Sequence, residues 1–587
     1  MPFGRSHPIF TPLQGLATIA SEEYQDLVNC YFRHNPDEDD PQKTEVIKTL
    51  GFIQQGTNVT LPGSVRGLGI GSYTPSVGTV GGVYAAWDNT TPDIQIYLLG
   101  SGDPTSQGAN ARFTTNDVEV EFEQANDTLY VSNGIEAVKK QDTAGTWSAL
   151  ASGEPLSGAG TVAKFLSWHK FMLFAARTVN APGKLNVSDA GTPETFSGNT
   201  KTFRHKIVGM KPLGDYLMIY TEKEVHAVTG SVPTQLAFRQ LDNAQPCVSH
   251  RSIVTVVGAA REYSATGVQS GLIEHWYLGS SYVWATNGST FRILGKESWE
   301  NFRRNLSTAQ LSLAAATFDE VAGQYLLSVP TGASIKNTVT WAYDPIADKW
   351  IERPFHTASC WVHHGYPTPS LYFLDANATG KAYLANSGHL IVSQKTQLNG
   401  AITASAATLT VDSTTGFPTN GVIWIENEAI SYTGLTATTF KMPIRGYQGT
   451  TPAAHGDNTV VYPAHQFRYR TRNLDLGENN LLKKFQILWV NVLPSTTAYS
   501  LSVNVSVDQY GFSQAGTIPL NTSGMVWGTD IWGQATWGAP SIILTPTNRI
   551  APSGRGKTIK ISLDESSSIQ ETEITQMELR SRPLKKK

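Results

Sequence analysis

The sequence predicts an all-β protein with a β-propeller-like body, a small inserted β-domain and a C-terminal β-sandwich. Three observations predict it. A run of four to six apolar or aromatic residues that stops at a small polar turn recurs as Asn126-Asp-Thr-Leu-Tyr-Val-Ser-Asn-Gly134, Lys170-Phe-Met-Leu-Phe-Ala175, Asp215-Tyr-Leu-Met-Ile-Tyr220, Glu274-His-Trp-Tyr-Leu-Gly279, Gly323-Gln-Tyr-Leu-Leu-Ser-Val329 and Ser370-Leu-Tyr-Phe-Leu-Asp375. The starts fall roughly 45 to 60 residues apart, the period of four antiparallel strands making one blade. The composition agrees: 40% apolar, only 16% charged, with 52 Gly and 30 Pro among 587 residues. Such a chain suits pleated sheets joined by tight turns. Paired runs also sit at hairpin spacing, Leu217–Tyr220 with Val225–Val228 and His275–Leu278 with Tyr282–Ala285.

The domains are expected in this order: an arm over 1–50, the propeller-like body over 51–397, the insert over 398–462, the sandwich over 463–583 and a basic tail over 584–587. Closing strands of the propeller could come from the C-terminal part. In the arm, Ser21 is placed to cap a short helical turn carrying Tyr24, Leu27 and Val28, and Asp37–Asp40 form an acidic run. Gly67-x-Gly69-x-Gly71 lacks the strand before it and the helix after it that a phosphate loop needs, so it is read as turn chemistry. Trp341-Ala-Tyr-Asp-Pro-Ile-Ala-Asp-Lys-Trp350 is expected to be a blade turn, with Asp344 and Asp348 accepting from backbone amides and Trp350 packing on the preceding blade.

The insert is expected to bury Thr408–Val411, Gly421–Ile425 and Glu428–Tyr432 as short strands, followed by Arg445-Gly-Tyr-Gln-Gly-Thr450 with Ala453-Ala-His-Gly456. In the sandwich Phe485–Val492, Leu501–Val507 and Thr558–Leu563 alternate as half-buried strands do. Trp527, Trp532 and Trp537 each precede glycine at five-residue spacing; they are candidate interface residues, with packing over a loop or a sugar site as the other uses.

Charge and motifs narrow the function. With 45 basic against 48 acidic residues, the chain is not a DNA-coating protein. Cys30, Cys247 and Cys360 are widely spaced and odd in number, so they build no disulfide framework and no CxxC site. No signal peptide or membrane span is legible; sequons such as Asn89-Thr-Thr and Asn186-Val-Ser are incidental in a protein made in a cytoplasm. Nucleotide, hydrolase and zinc motifs are missing, so no cofactor is expected. His356, His363 and His364 form the densest imidazole cluster, but neighbours on a strand point to opposite faces and no metal site is expected. Glu222, Glu224, Glu274 and Asp319 are the carboxylates a propeller glycosidase would draw on, and nothing pairs any two of them, so no catalytic residue is assigned.

Several phrases, in order, resemble a known family. Asn29-Cys-Tyr31, Leu50-Gly-Phe52 with Val65-Arg-Gly-Leu68, the Asn126–Gly134 phrase, Leu185-Asn-Val-Ser-Asp189 followed by Phe196, and Tyr277-Leu-Gly279 with Trp284-Ala-Thr-Asn-Gly288 are similar to the packaged-DNA stabilisation, or tail nozzle, proteins of tailed bacteriophages. The resemblance spans about residues 20–390 and does not cover the insert or the sandwich. The insert itself looks like the small β-modules that decorate phage tail components, through Thr414-Thr-Gly-Phe-Pro418 and Arg445–Thr450. The resemblance implies a structural virion protein made in the bacterial host cytoplasm: a homo-hexameric ring below the portal and adaptor that continues the DNA channel, retains packaged double-stranded DNA and docks fibres or spikes. Near-neutral charge suits a conduit, since each phosphate contact would slow passage. The alternatives are a receptor-binding or fibre-attachment protein and a propeller glycosidase.

Overall fold

The computed structural model describes residues 5–8, 27–28, 30–34, 44–48, 51–55, 67–76, 81–88, 93–100, 104–151, 153–242, 245–257, 263–264, 267–268, 273–353, 357–365, 369–376, 381–388, 396–415, 417, 421–426, 428–441, 443–447, 450–463, 467–471, 474, 482–492, 500–508, 511–519, 549–550, 555–565 and 573–583. It divides into two compact units, one of residues 54–386 and one of residues 1–53 with 387–587. Almost all regular structure is antiparallel strand.

Residues 54–386 form a β-propeller. Among the described residues seven sheets follow one another along the chain, and each begins with an innermost strand: Gly67–Tyr73, Glu121–Ala125, Phe165–His169, Ile207–Leu213, Val254–Val257, Ala315–Asp319 and Ala358–Gly365. They are called here the inner strands of blades 1 to 7. Each inner strand lies beside the next, and that of blade 7 lies beside that of blade 1, so the ring is closed. The second strands of blades 2 to 7 are Thr128–Ser132, Met172–Ala176, Tyr216–Thr221, Ile273–Leu278, Gln324–Val329 and Pro369–Asp375, which are the six recurrent phrases. Sandwiched between neighbouring sheets, Met172–Ala176 and Gln324–Val329 are buried at every position, which is why they read as unbroken apolar runs.

Blade 1 holds the glycine series, and there the structure differs from the sequence reading. Gly67, Gly69 and Gly71 lie within its inner strand rather than in a turn. A Cβ on Gly67 would sit 2.3 Å from Leu374 Cβ of blade 7, one on Gly69 2.2 Å from the Val120 carbonyl, and one on Gly71 2.2 Å from Phe122 Cβ. The glycines let backbone approach side chain on both sides of the strand.

Large aromatics fill the spaces between blades. Trp350 is 1% exposed, its ring centroid lies 4.9 Å from that of Trp299, and its indole N–H donates to the Leu294 carbonyl of blade 5 at 3.0 Å. The expected blade turn is in place: Asp344 accepts from the Ile346 and Ala347 amides at 3.0 and 3.1 Å, and Asp348 from the Gly295 amide at 3.0 Å.

In the other unit, the insert is two small antiparallel sheets, of four and three strands, around Leu398, Leu409, Val411, Phe417, Ile423, Ile425, Ile430, Tyr432, Phe440 and Val461. The sandwich strands are described too: Lys483–Val492 pairs with Glu573–Pro583, and Ser500–Val507 with Ile559–Glu565. Arm strands Arg5–Pro8 and Thr44–Lys48 pair with Glu573–Pro583, so part of the arm is built into this unit. Ser21, Tyr24 and the acidic run Asp37–Asp40 lie outside the described residues, but Leu27 and Val28, expected on a short helical turn, instead form a strand paired with Tyr469 and Arg468, where ladder hydrogen bonding outcompetes a single local turn. Among the described residues no helix is long and apolar enough to cross a membrane.

Candidate functional site

The propeller axis is a cavity of about 470 Å³, lined by both polar and apolar side chains, to which all seven inner strands contribute. Its chemistry begins with alternation on the segment leading into and forming the inner strand of blade 2. Glu119, Glu121 and Glu123 fall two residues apart and share one side of the chain, while Phe122 turns toward the aromatic core of blades 1 and 2.

The three carboxylates have different partners. Glu119 accepts from the Lys164 ammonium at 2.7 Å. Glu121 accepts from Arg251 Nε at 3.3 Å, and the His250 ring lies 3.7 Å from its other oxygen. Glu123 accepts from the Trp168 backbone amide, and among the described residues no cation stands within ion-pair distance of it. Arg251 comes from the single helical turn His250–Ser252 that delivers the chain to blade 5. Its guanidinium also donates to the carbonyls of Leu68, Val120 and Ser359, the last two at 3.1 and 3.5 Å, tying blade 5 to blades 1, 2 and 7. Arg251 lines the axial cavity and also a void of about 20 Å³ bounded by Gly67, Glu119, Lys336 and Ser359, so its side chain crosses the axis.

Burial shapes these ionisations. It raises the Glu123 carboxyl to about 7, against the Trp168 amide and the Lys211 charge. It raises Glu121 too, opposed by Arg251. Burial lowers Lys211, whose ammonium donates to the Ile253 carbonyl at 2.6 Å, and holds His250 well below the usual imidazole value, with Lys211 and Arg251 adding to the effect. For Arg251 burial opposes the charge, yet Glu119 and Glu121 keep the guanidinium above its ordinary pKa. His275, buried behind blade 4, is lowered to about 3; it faces the Pro212 carbonyl at 2.8 Å and the Tyr220 hydroxyl at 2.9 Å.

The residues singled out in the sequence are distributed differently. Glu274 accepts from the Trp276 indole at 2.7 Å and pairs with Arg292 at 2.8 Å. Asp319 caps its own turn through the Val321 and Ala322 amides, Glu222 meets Lys206 at 3.5 Å, and Glu224 meets His226 at 3.2 Å. No two of them share a site. His363 bonds Thr317 of blade 6 at 3.0 Å and His364 bonds Ser72 of blade 1 at 2.9 Å, the opposite facing that a pleated strand imposes. His356, Trp527, Trp532 and Trp537 lie outside the described residues. Among the described residues no three His, Cys, Asp or Glu side chains could hold a metal together. Cys247 and Cys360 are buried free thiols, pushed up by burial to about 12 and about 11.

Sequence reasoning passed over Glu121, Glu123, Lys211 and Arg251. Acids at every second position immediately before a recurrent apolar phrase were the available signal for the two glutamates. Lys211 and Arg251 had none, because only ring closure brings them to the axis.

The insert holds a buried carboxylate of its own. Glu428, 1% exposed, takes a bidentate bond from Arg445 with both contacts at 2.7 Å, and accepts from the Gly446 and Ala453 amides at 3.0 Å. The His455 ring lies 2.8 Å from Glu428 and 2.8 Å from Glu426. Burial raises the Glu428 carboxyl, but these donors outweigh it and hold the group at about 2. The Arg445–Thr450 and Ala453–Gly456 phrases are therefore wrapped around one structural anion.

No known protein family and no curated protein matches the chain. Solved structures to which it is similar include the extracellular domain of a putative hybrid two-component system from B. thetaiotaomicron, at 8% identity and a TM-score of 0.37 over 72% of this chain and 52% of that one. The chain thus spans about half the length of that protein. The WD40 domain of Neurospora crassa Pan2 matches at 9% identity and TM-score 0.35, over 57% of this chain and 95% of that one. BamB from Moraxella catarrhalis matches at 9% identity and TM-score 0.33, over 65% and 98%.

Proposed function

We propose that this chain is a structural subunit of a phage tail, the distal nozzle of a short tail. In this reading it assembles as a homo-hexameric ring below the adaptor and portal-side proteins, continues the DNA channel, retains packaged DNA and docks fibres or spikes. The ordered nozzle-like phrases between residues 20 and 390 support it. The observation that carries a scaffold role is the axis itself: Arg251 spans it to tie blade 5 to blades 1, 2 and 7, where a glycosidase needs two free carboxyls facing a substrate.

The same observation bears on where DNA would run in this reading. A duplex whose major groove alone is about 12 Å wide cannot thread a cavity of about 470 Å³ crossed by a guanidinium. The conduit would be the space between subunits, with the propeller as a wedge in its wall. Mass and symmetry measurements on the purified protein, followed by cryo-microscopy of virions, test this. A ring on the tail axis is expected. A monomer that remains monomeric with its tail neighbours, or a chain absent from the tail axis, would overturn it. Virions lacking residues 398–462 are expected to assemble and keep their DNA; assembly with loss of adsorption would point to adhesion instead.

A further inference from the structure

We propose that ionisation of Glu123 switches Lys211 from the Ile253 carbonyl on blade 5 to the Glu123 carboxylate on blade 2, making the propeller axis a proton-sensitive joint. The geometry is graded along one strand. Glu119 has Lys164 at 2.7 Å and Glu121 has Arg251 at 3.3 Å, whereas Glu123 has one backbone amide. Lys211 is the complementary case: among the described residues its ammonium makes one hydrogen bond, to Ile253 at 2.6 Å, and no ion pair. Both side chains line the same cavity, which leaves room for the ammonium to move.

The other charged or titratable groups around the cavity are committed elsewhere. Lys164 holds Glu119, Arg251 holds Glu121, Arg177 lies over the Phe165 ring at 5.2 Å, His363 bonds Thr317, and His250 is stacked 4.4 Å from Phe165 while facing Glu121. Among the described residues that line the cavity the cations are Arg251, which is paired with Glu121, and Lys211, which has no ion pair, so Lys211 is the cation an anion forming at Glu123 would draw. Burial raises the Glu123 carboxyl to about 7 and lowers Lys211, in keeping with the single hydrogen bond each group makes among the described residues. With Glu123 neutral, blade 4 is tied to blade 5. With Glu123 ionised, the tie crosses the axis to blade 2.

Isotope-edited infrared spectroscopy of the full chain tests the titration, and thermal melting of wild type, Glu123→Gln and Lys211→Met tests the coupling. The carboxyl band of Glu123 is expected to vanish with a midpoint near pH 7, and that midpoint is expected to rise in Lys211→Met. Between about pH 5.5 and about pH 8.5 wild type should lose a few degrees of Tm more than Glu123→Gln. A midpoint in the ordinary glutamate range overturns the proposal even if Glu123→Gln fails to fold. So does a midpoint unmoved by Lys211→Met, or an identical pH response in wild type and Glu123→Gln.

Discussion

Glu428 in the insert and Glu123 on the propeller axis are both withdrawn from bulk water, yet one carboxyl is held at about 2 and the other raised to about 7. The difference lies in the donors. Glu428 receives a guanidinium fork, two amides and an imidazole, and Glu123 receives one amide. Removing water raises a carboxyl pKa, and hydrogen bonds to the anion lower it, so the count of donors decides the sign. The insert has made its anion a structural keystone; the axis has left one anion unfinished.

The comparison breaks most visibly at Arg445. Arg445→Met strands a buried carboxylate and is expected to cost about 3–5 kcal/mol, read as loss of hydrogen-exchange protection across residues 398–462 with the propeller amides unchanged. On the propeller side, Trp350→Ala removes the packing between blades 5 and 6 and is expected to cost about 3–5 kcal/mol in denaturant unfolding. Gly69→Ala forces a Cβ onto the Val120 carbonyl and should cost about 1–3 kcal/mol.

The two carboxylates also predict opposite pH responses. Glu123 binds its proton more tightly when folded, so its contribution falls as pH rises from the ordinary glutamate value through about 7. Glu123→Gln should therefore stabilise the chain above pH 7, by on the order of 2 kcal/mol, with little effect at acid pH. Glu428 releases its proton more readily when folded, so its contribution is present above the ordinary value and is lost as pH falls toward about 2. Acid exchange experiments should show the insert loosening in that window. His275, lowered to about 3, adds an acid-side loss in the propeller that begins as pH drops below the usual imidazole value and runs over a wider span of pH than that of Glu428.

How much of this was legible followed from which faces are buried. Second strands such as Met172–Ala176 are covered on both faces, so their sequences are continuous apolar runs and the repeat was visible. The second strand of blade 1, Gly82–Asp88, is as well buried, but its small residues and the glycines beside it hid it as a separate Gly-rich region. Inner strands such as Glu121–Ala125 and Ala358–Gly365 carry polar groups for the axis and lack the recurrent apolar signal. The axial cluster joins residues as distant as Leu68 and Arg251, a pairing no local window contains. The insert was easier: its Arg445 and His455 phrases are near neighbours of Glu428 in sequence, though the anion that organises them was not named.

The adjacency of the first and last inner strands has a consequence for how the molecule comes together. Every hairpin within blades 2 to 4 and blade 6 joins segments close in the chain, contacts of the low sequence separation that favours fast folding. Seating Gly67–Tyr73 beside Ala358–Gly365, with Ser72 and His364 in hydrogen-bond contact, brings together residues 292 positions apart. A chain lacking everything from residue 358 on would leave the apolar faces of its two end blades uncovered, surface of the kind that favours association over completion.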